Sequence, residues 1–155
     1  MPNNEFRPRF RKVEVTYIQG AEETGKTHHV YGQHGYNDIH TIRDPYGCFN
    51  HYYTQDVLLF DDFESKNFHI RQMNNWLDIY PLMLLAKYFN REARYTKVYI
   101  ISRTPLEKLY LKEQETDVHG WKAFIGHIDR VLVFKALGEY EEFTTEKYLE
   151  TRGSQ

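Results

Sequence analysis

The chain has 155 residues and a formal net charge of −2, with 41% hydrophobic and 27% charged residues. This length and composition predict one domain around one core, because such a chain buries about 70% of the surface that it exposes when unfolded. The charge excludes a uniformly basic nucleic-acid coat and leaves room for a local basic surface. Cys48, as the one cysteine, excludes an internal disulfide and is expected to be a small packing residue.

Membrane and export signals are not recognisable in the sequence. It has no apolar stretch near the roughly 18 residues of a membrane span. The first residues also lack the charged and then apolar pattern of a signal peptide. We therefore expect no membrane partner and a cytosolic or nuclear location.

The amino-terminal residues 1–12 are basic and show no apolar period, so they are predicted to be an arm or linker. Their basic side chains are Arg7, Arg9, Arg11 and Lys12. A nucleic-acid-binding arm and a solvated tail are both consistent with this pattern.

A phosphate-binding loop is predicted next, directly after a β-rich alternating run at residues 13–18. Residues 20–27 fit the pattern G-x-x-x-x-G-K-[ST], whose glycines let backbone N–H groups face a polyphosphate. Lys26 would neutralise the outer phosphates and the Thr27 hydroxyl would bind Mg²⁺. A helix over about 26–33 should follow, with its N-terminus towards the phosphates. The predicted nucleotide-binding residues are Gly20, Ala21, Glu22, Glu23, Thr24, Gly25, Lys26, Thr27 and His28.

A short second strand is predicted at residues 38–42, and a stronger signal follows at residues 56–63. This second stretch is a continuous apolar run that ends in paired carboxylates, the pattern of a parallel strand buried on both faces. With the loop upstream, Asp61 is predicted as a Mg²⁺ ligand beside Thr27, and Asp62 as the group that orients or deprotonates water. A solvated strand end or a helix cap is the structural alternative for both carboxylates.

The middle of the chain combines a helix with a basic segment. Residues 69–80 have helical apolar spacing, and the pieces 82–85 and 88–89 can form a hairpin turned by residues 90–92. The basic side chains in and after this hairpin are Lys87, Arg91, Arg94 and Lys97.

The last part of the chain is predicted to complete the sheet. A buried strand at 98–101 stops at residues 102–105, a helix face covers 121–128, and residues 131–134 form the last strand. Residues 138–155 are predicted as an acidic tail with one short helix around 144–149.

The whole pattern alternates strands and helices. Its near-continuous apolar strands require helices on both faces of a sheet, which predicts a P-loop α/β sandwich over residues 13–137.

Ordered motifs in this stretch resemble the superfamily-3 helicase domain, and more closely the ATPase domain of replication initiator (Rep) proteins from circular single-stranded-DNA plasmids and viruses. The resemblance runs from about Val13 to Phe134. It is carried by residues 20–27, 57–63, 77–82, 95–102 with Pro105, and 121–124.

The resemblance implies an AAA+-type fold, a three-layer sandwich with a central, mostly parallel sheet and helices on both faces. It implies a homo-oligomeric ring, usually a hexamer, that hydrolyses ATP with Mg²⁺ and moves along single-stranded DNA. A member would lie in the bacterial cytoplasm, or in the host nucleus if it is viral. At the matching positions, Lys26 and Asp62 are catalytic, and Thr27 and Asp61 bind the metal.

The basic segment around Lys87 and Arg91 would contact the DNA backbone in such a protein. A sequence-indifferent motor needs phosphate contacts from Lys and Arg and can add base stacking from Tyr88. The implied DNA-binding residues are Lys87, Tyr88, Arg91, Arg94 and Lys97. A charged, exposed hairpin without a ligand is the alternative.

Some positions depart from the family. Arg103 stands where the family has a sensor Asn, and Gly126-His127 stand where it has paired arginines that reach the neighbouring subunit's nucleotide. Arg103 could contact phosphate directly, and Arg130 could replace the arginine finger or serve as a salt-bridging residue. A weakened, nucleotide-dependent DNA-binding or oligomerisation module is therefore the second hypothesis, and a P-loop kinase or another NTPase is the third.

The family's usual nicking domain, with its paired-His metal motif, has no counterpart in this sequence. We therefore expect either a fragment or a helicase-only member.

Overall fold

The fold is that of a computed structural model, which describes residues 11–80, 82–87 and 90–153. Within these residues the strands are β1 (Glu14–Gln19), β2 (Ile39–Ile42), β3 (Val57–Phe60), β4 (Met83–Leu84), β5 (Arg91–Glu92), β6 (Lys97–Ser102), β7 (Arg130–Ala136) and β8 (Glu139–Thr144). The helices are α1 (Lys26–Gln33), α2 (Ile70–Leu77), α3 (Leu111–Thr116), α4 (Val118–His127) and α5 (Thr145–Gly153).

The described part of the chain forms a six-stranded central sheet with the order β2-β3-β6-β1-β7-β8. All neighbours from β2 to β7 are parallel, and β8 alone runs antiparallel to β7. The parallel strands therefore end at one edge of the sheet. This edge carries the residues that follow β1, β3 and β6, where ligands bind in open α/β sheets.

Apolar side chains pack on both faces of this sheet. On one face Val30 of α1 packs with residues of β1, β3 and β6. On the other face α2, α4 and α5 supply Met73, Phe124 and Tyr148 to a larger cluster. The four residues of β3 are consequently all buried, which confirms the prediction of a parallel strand covered on both faces.

The predicted helix over residues 26–33 is confirmed by α1. The strand predicted at residues 38–42 and the helix predicted at residues 69–80 are confirmed in shorter form by β2 and α2. Helix α3 was not predicted. The hairpin exists as the antiparallel pair β4 and β5, but Arg91 and Glu92 lie in its second strand and not in its turn. The second strand expected at 88–89 falls outside the described residues.

The prediction that residues 131–134 form the last strand is wrong, because β8 follows β7 in the same sheet. Glu139, Glu141 and Glu142 hid this strand in the sequence, since an acidic stretch resembles a solvated tail. An edge strand tolerates such side chains because its pairing is made by the backbone. The helix expected in the same segment is present as α5.

No helix in residues 11–80, 82–87 or 90–153 combines the length and the apolar character needed to cross a membrane.

Candidate functional site

The loop from Gly20 to Thr27 connects β1 to α1 and has a backbone that requires glycine at two positions. Gly20 has φ of 154°, and a Cβ there would lie 2.7 Å from the carbonyl oxygen of Phe134 on β7. Gly25 has φ of 88° in the left-handed region. The glycines therefore let the loop turn tightly while it passes against the neighbouring strand.

Lys26 is a buried cation inside this loop, because the residue is only 8% exposed. Its Nζ donates to the carbonyl oxygens of Gly20 at 2.8 Å and Ala21 at 2.5 Å. Among the described residues, no carboxylate lies within ion-pair distance of this ammonium group. Burial is the main cause that lowers the pKa of Lys26, and Arg103 lowers it further, while Glu22, Asp61 and Asp62 act in the opposite direction. A buried cation without a paired carboxylate is suited to an anionic ligand.

Thr27 and Asp61, the two predicted metal ligands, are brought together although they lie 34 residues apart in the sequence. The Thr27 hydroxyl donates to Asp61 Oδ1 at 3.0 Å. Arg43 Nη2 donates to the other oxygen, Asp61 Oδ2, at 3.1 Å. Mg²⁺ commonly takes one or two protein oxygens and completes its shell with phosphate and water, so this pair fits a nucleotide-bound Mg²⁺.

Ser102 is the last residue of β6 and Arg103 follows it. Strand β6 lies between β1 and β3 and so separates the loop from the acidic pair. The buried Ser102 hydroxyl donates to the Phe63 carbonyl oxygen at 2.8 Å and thereby holds the turn that carries Asp61 and Asp62. Arg103 Nη1 donates to Glu22 Oε1 at 2.7 Å, and its Nη2 lies 3.6 Å from Asp62 Oδ1. Arg103 therefore bridges the loop and the turn after β3.

These groups surround a cavity of about 350 Å³. Its lining residues are Glu22, Glu23, Gly25, Lys26, Thr27, His28, Asp61, Asp62, Ile101, Ser102 and Arg103. Of the other predicted nucleotide-binding residues, Gly20 and Ala21 accept from Lys26, and the Thr24 hydroxyl donates to the Ala21 carbonyl oxygen at 2.8 Å. The predicted loop, metal ligands, Asp62 and Arg103 thus meet in one place.

Arg130 is not brought to this cavity. It is the first residue of β7 and lies opposite Thr16 of β1, towards the amino-terminal ends of the parallel strands. Its Nη1 donates to the Thr16 hydroxyl at 3.2 Å, and its Nη2 lies 3.9 Å from Glu14 Oε2. Within one chain it therefore has the salt-bridging position that was the alternative to a finger.

The basic segment is also separate from the cavity, because none of Lys87, Arg91, Arg94 and Lys97 is among the residues that line it. Lys97 begins β6 and Ser102 ends it, so about 17 Å of strand separates them. Lys97 pairs with Asp56 at 3.5 Å, Arg94 pairs with Glu92 at 3.2 Å, and the Arg91 guanidinium lies 5.2 Å from the centre of the Tyr53 ring. The backbone N–H of Lys87 donates to Asn50 Oδ1.

The expected nucleic-acid surface also includes Tyr88 and the amino-terminal basic arm. Tyr88 lies outside the described residues, and so do residues 1–10 of the basic arm. Arg11, in the described part of the arm, donates to the carbonyl oxygens of Tyr95 and Asp78 and stacks over the Tyr95 ring at 4.1 Å. Arg11 is therefore engaged in packing the arm against the domain.

Sequence reasoning missed Arg43 and the turn between β7 and β8. Arg43 directly follows β2, and a parallel β2 beside β3 brings it to the same edge as Asp61. This position could have been inferred from the predicted strand at 38–42. The β7–β8 turn contacts the phosphate-binding loop through Gly138, whose N–H donates to the Thr24 carbonyl oxygen at 3.0 Å. Nothing in the local sequence indicates that contact.

Comparisons with known proteins do not assign this chain to a family. A scan against protein-family models finds no match, and a search of curated proteins finds no significant match.

Within the described residues, no group of three or more His, Cys, Asp or Glu side chains could hold a metal by itself.

Proposed function

We propose that the chain is the ATPase domain of a DNA helicase of the replication-initiator type, with a P-loop, AAA+-like fold. The observation that carries the nucleotide part of the proposal is the hydrogen bond between Thr27 and Asp61 beside the buried Lys26. Two separate motifs meet there in the arrangement that Mg²⁺ and a triphosphate require. A cytoplasmic or nuclear location follows from a role in DNA replication.

The chemistry is divided among residues on three strand ends. Lys26 and the loop N–H groups hold the β- and γ-phosphates, and Thr27 with Asp61 would hold Mg²⁺, which neutralises charge on the phosphate oxygens. Asp62 accepts a proton from the attacking water or orients it. Arg103 leaves Glu22 and contacts the γ-phosphate, where a cation stabilises the charge of the transition state.

The DNA part of the proposal rests on the resemblance and on the charge of the β4–β5 segment. None of Lys87, Arg91, Arg94 and Lys97 lines the cavity, and Lys97 starts β6 at the end away from the nucleotide, so one chain can bind both ligands without overlap. Phosphate contacts from these side chains would give sequence-independent binding that weakens steeply with salt. We propose single-stranded DNA as the polymer and a homo-oligomeric ring, usually of six subunits, as the assembly.

Replacement of the buried cation tests the nucleotide site. Lys26→Ala should abolish ATP binding measured by calorimetry with Mg²⁺, because the loop loses its compensating charge. Lys112→Ala, at an exposed position on α3, is the matched control and should bind as the wild type does. Unchanged ATP affinity in Lys26→Ala would show that the loop is not a nucleotide site.

The weakened module is retained as a second candidate because Arg103 is ion-paired with two acids and Gly126-His127 replace the family's arginines. A turnover assay with and without single-stranded DNA separates the two. Stimulated hydrolysis eliminates the module, and tight ATP binding without hydrolysis eliminates the motor. The mass in solution with nucleotide and DNA tests ring formation. Failure to bind single-stranded DNA at low salt would favour an NTPase unrelated to replication.

A further inference from the structure

The cavity described above is lined mainly by charged and polar residues, which suit phosphates and Mg²⁺. The His28 ring and the Ile101 side chain are the aromatic and aliphatic groups among its described lining residues, and they offer a nucleobase little contact area. The Mg²⁺ ligand Asp61 and the bridging Arg103 lie on the β3 and β6 side of the loop. The outer phosphates therefore belong on that side, and the nucleoside end must leave the loop in the other direction.

The other direction is occupied by β7, β8 and the turn that joins them, because β7 is the neighbour of β1 on the side opposite β6. This turn is attached to the loop. Gly138 donates to the Thr24 carbonyl oxygen at 3.0 Å, and Leu137 Cδ1 lies 3.5 Å from the point where a Cβ on Gly25 would be. A ligand that leaves the loop on this side meets the turn first.

Exposed apolar and aromatic groups face solvent at this turn. Leu137 is 76% exposed and Tyr140 is 41% exposed. The Tyr140 ring is stacked on Phe134 with centroids 4.9 Å apart, and the His29 ring of α1 meets it edge-on at 4.9 Å. We refer to Leu137, Tyr140 and His29 as the base ledge.

We propose that the base ledge binds the nucleobase of the triphosphate by stacking and apolar contact, an inference that rests on the proposed nucleotide site. The loop holds the phosphates, and the attached turn presents a preorganised aromatic surface at the nucleoside end. Every base has a π-face, so such a surface accepts purines without a hydrogen-bond code. Apolar contact discriminates weakly between similar ligands, so ATP and GTP should bind within about tenfold of each other.

Calorimetric titration of the full chain with Mg²⁺-ATP, Mg²⁺-GTP and Mg²⁺-tripolyphosphate tests the ledge. Tripolyphosphate offers the phosphates without a base. Tyr140→Ala should weaken ATP by about fivefold or more, the loss that removal of a stacking aromatic causes elsewhere. Leu137→Ser should weaken ATP in the same direction, and tripolyphosphate affinity should stay unchanged in both variants.

Leu111→Ser is the matched control, because Leu111 is also an exposed leucine, at 62%, on α3. Equal weakening of ATP and tripolyphosphate in Tyr140→Ala and Leu137→Ser would overturn the ledge. Wild-type protein that binds ATP no more tightly than tripolyphosphate would overturn it as well, while leaving the phosphate site intact. Wild-type protein that binds neither ligand would refute the nucleotide site and the ledge together.

Discussion

At the scale of single residues, the candidate site is a balance of charges around Lys26. Glu22, Asp61 and Asp62 favour the charged form of this lysine, while burial and Arg103 oppose it. The same carboxylates repel a polyphosphate, and Glu22 also holds Arg103 by an ion pair. In the ligand-free site, Glu22 therefore repels the polyphosphate and also forms an ion pair with Arg103, which the polyphosphate could otherwise contact.

Glu22→Gln should tighten Mg²⁺-ATP binding by about threefold or more at low salt. The substitution removes a negative charge from the cavity and releases Arg103, and unit charges several ångströms apart near a protein surface interact by about 1–2 kcal/mol. Calorimetry at low and high ionic strength measures the gain, which should shrink with salt. Glu115→Gln on α3 is the control for a general charge effect. Weaker binding in Glu22→Gln would mean that the acid itself supports the nucleotide.

His40 makes the folded protein sensitive to acid. It is buried on β2, its Nε2 donates to the Cys48 carbonyl oxygen at 2.6 Å, and its ring packs against Phe49 and Tyr52. Burial is the main cause that lowers its pKa; the Cys48 hydrogen bond raises it, and His51 lowers it. The unfolded chain therefore binds this proton at a higher pH than the folded chain does.

The contribution of neutral His40 to the free energy of unfolding should accordingly be fully present above the histidine pKa of the unfolded chain, about 6.5. It should be lost as the pH falls from there through the lower pKa of His40 in the folded state. Urea unfolding at several pH values between 7.5 and 5 measures this loss. His40→Gln should make the decline shallower, although His29, His34 and His127, whose pKa values are also lowered, will keep part of it. Replacement of the exposed His119 is the control. An unaltered slope in His40→Gln would contradict the assignment.

At the scale of elements, α5 is connected to the strand that precedes the loop. The Tyr148 hydroxyl donates to Glu107 Oε1 at 2.6 Å and accepts from Gln19 Nε2 at 2.8 Å. Gln19 Oε1 in turn accepts from the Leu106 N–H at 3.0 Å. Since Gln19 directly precedes Gly20, this buried network joins the carboxyl-terminal helix to the base of the phosphate-binding loop.

Tyr148→Phe should lower the free energy of unfolding by about 1–2 kcal/mol, because it leaves a buried amide N–H of Gln19 without its acceptor. Denaturant unfolding monitored by circular dichroism measures the change. Tyr36→Phe, which alters a tyrosine that is mostly exposed, should have little effect. A loss no larger than that of the control would show that the network contributes little to stability.

At the scale of the whole molecule, the site exists only when the sheet is formed. Its groups come from the ends of β1, β2, β3 and β6, which are separate in sequence and adjacent in the sheet. A ligand that binds across these ends binds the folded state and not the unfolded chain. Binding should therefore stabilise the entire domain.

Mg²⁺-ATP at a hundred times its dissociation constant should raise the free energy of unfolding by about 2.7 kcal/mol. Thermal unfolding with and without ligand measures this stabilisation. Lys26→Ala should lose it, and Asp61→Asn should lose the part that depends on Mg²⁺ while retaining binding of ATP alone. Full Mg²⁺-dependent stabilisation in Asp61→Asn would exclude Asp61 as a metal ligand.

Local patterns in the sequence were sufficient for the strand, loop and helix around Lys26 and for the buried strand that ends at Asp61. The glycine spacing restricts the backbone locally, and a continuous apolar run requires cover on both faces. For the same reason the α/β class with a mostly parallel sheet was predictable. The acidic strand β8 was not, because an edge strand depends on pairing with β7 and has little apolar pattern of its own.

The sequence by itself determined which residues could bind phosphate and metal, since those abilities belong to the side chains and to their immediate spacing. Only the tertiary structure decided which of them meet. The strand order brings Thr27, Asp61 and Arg43 together and leaves Arg130 and Lys97 towards the opposite edge. It also sets the β7–β8 turn against the loop. Such contacts follow from long-range strand pairing and register, which no local pattern of residues contains.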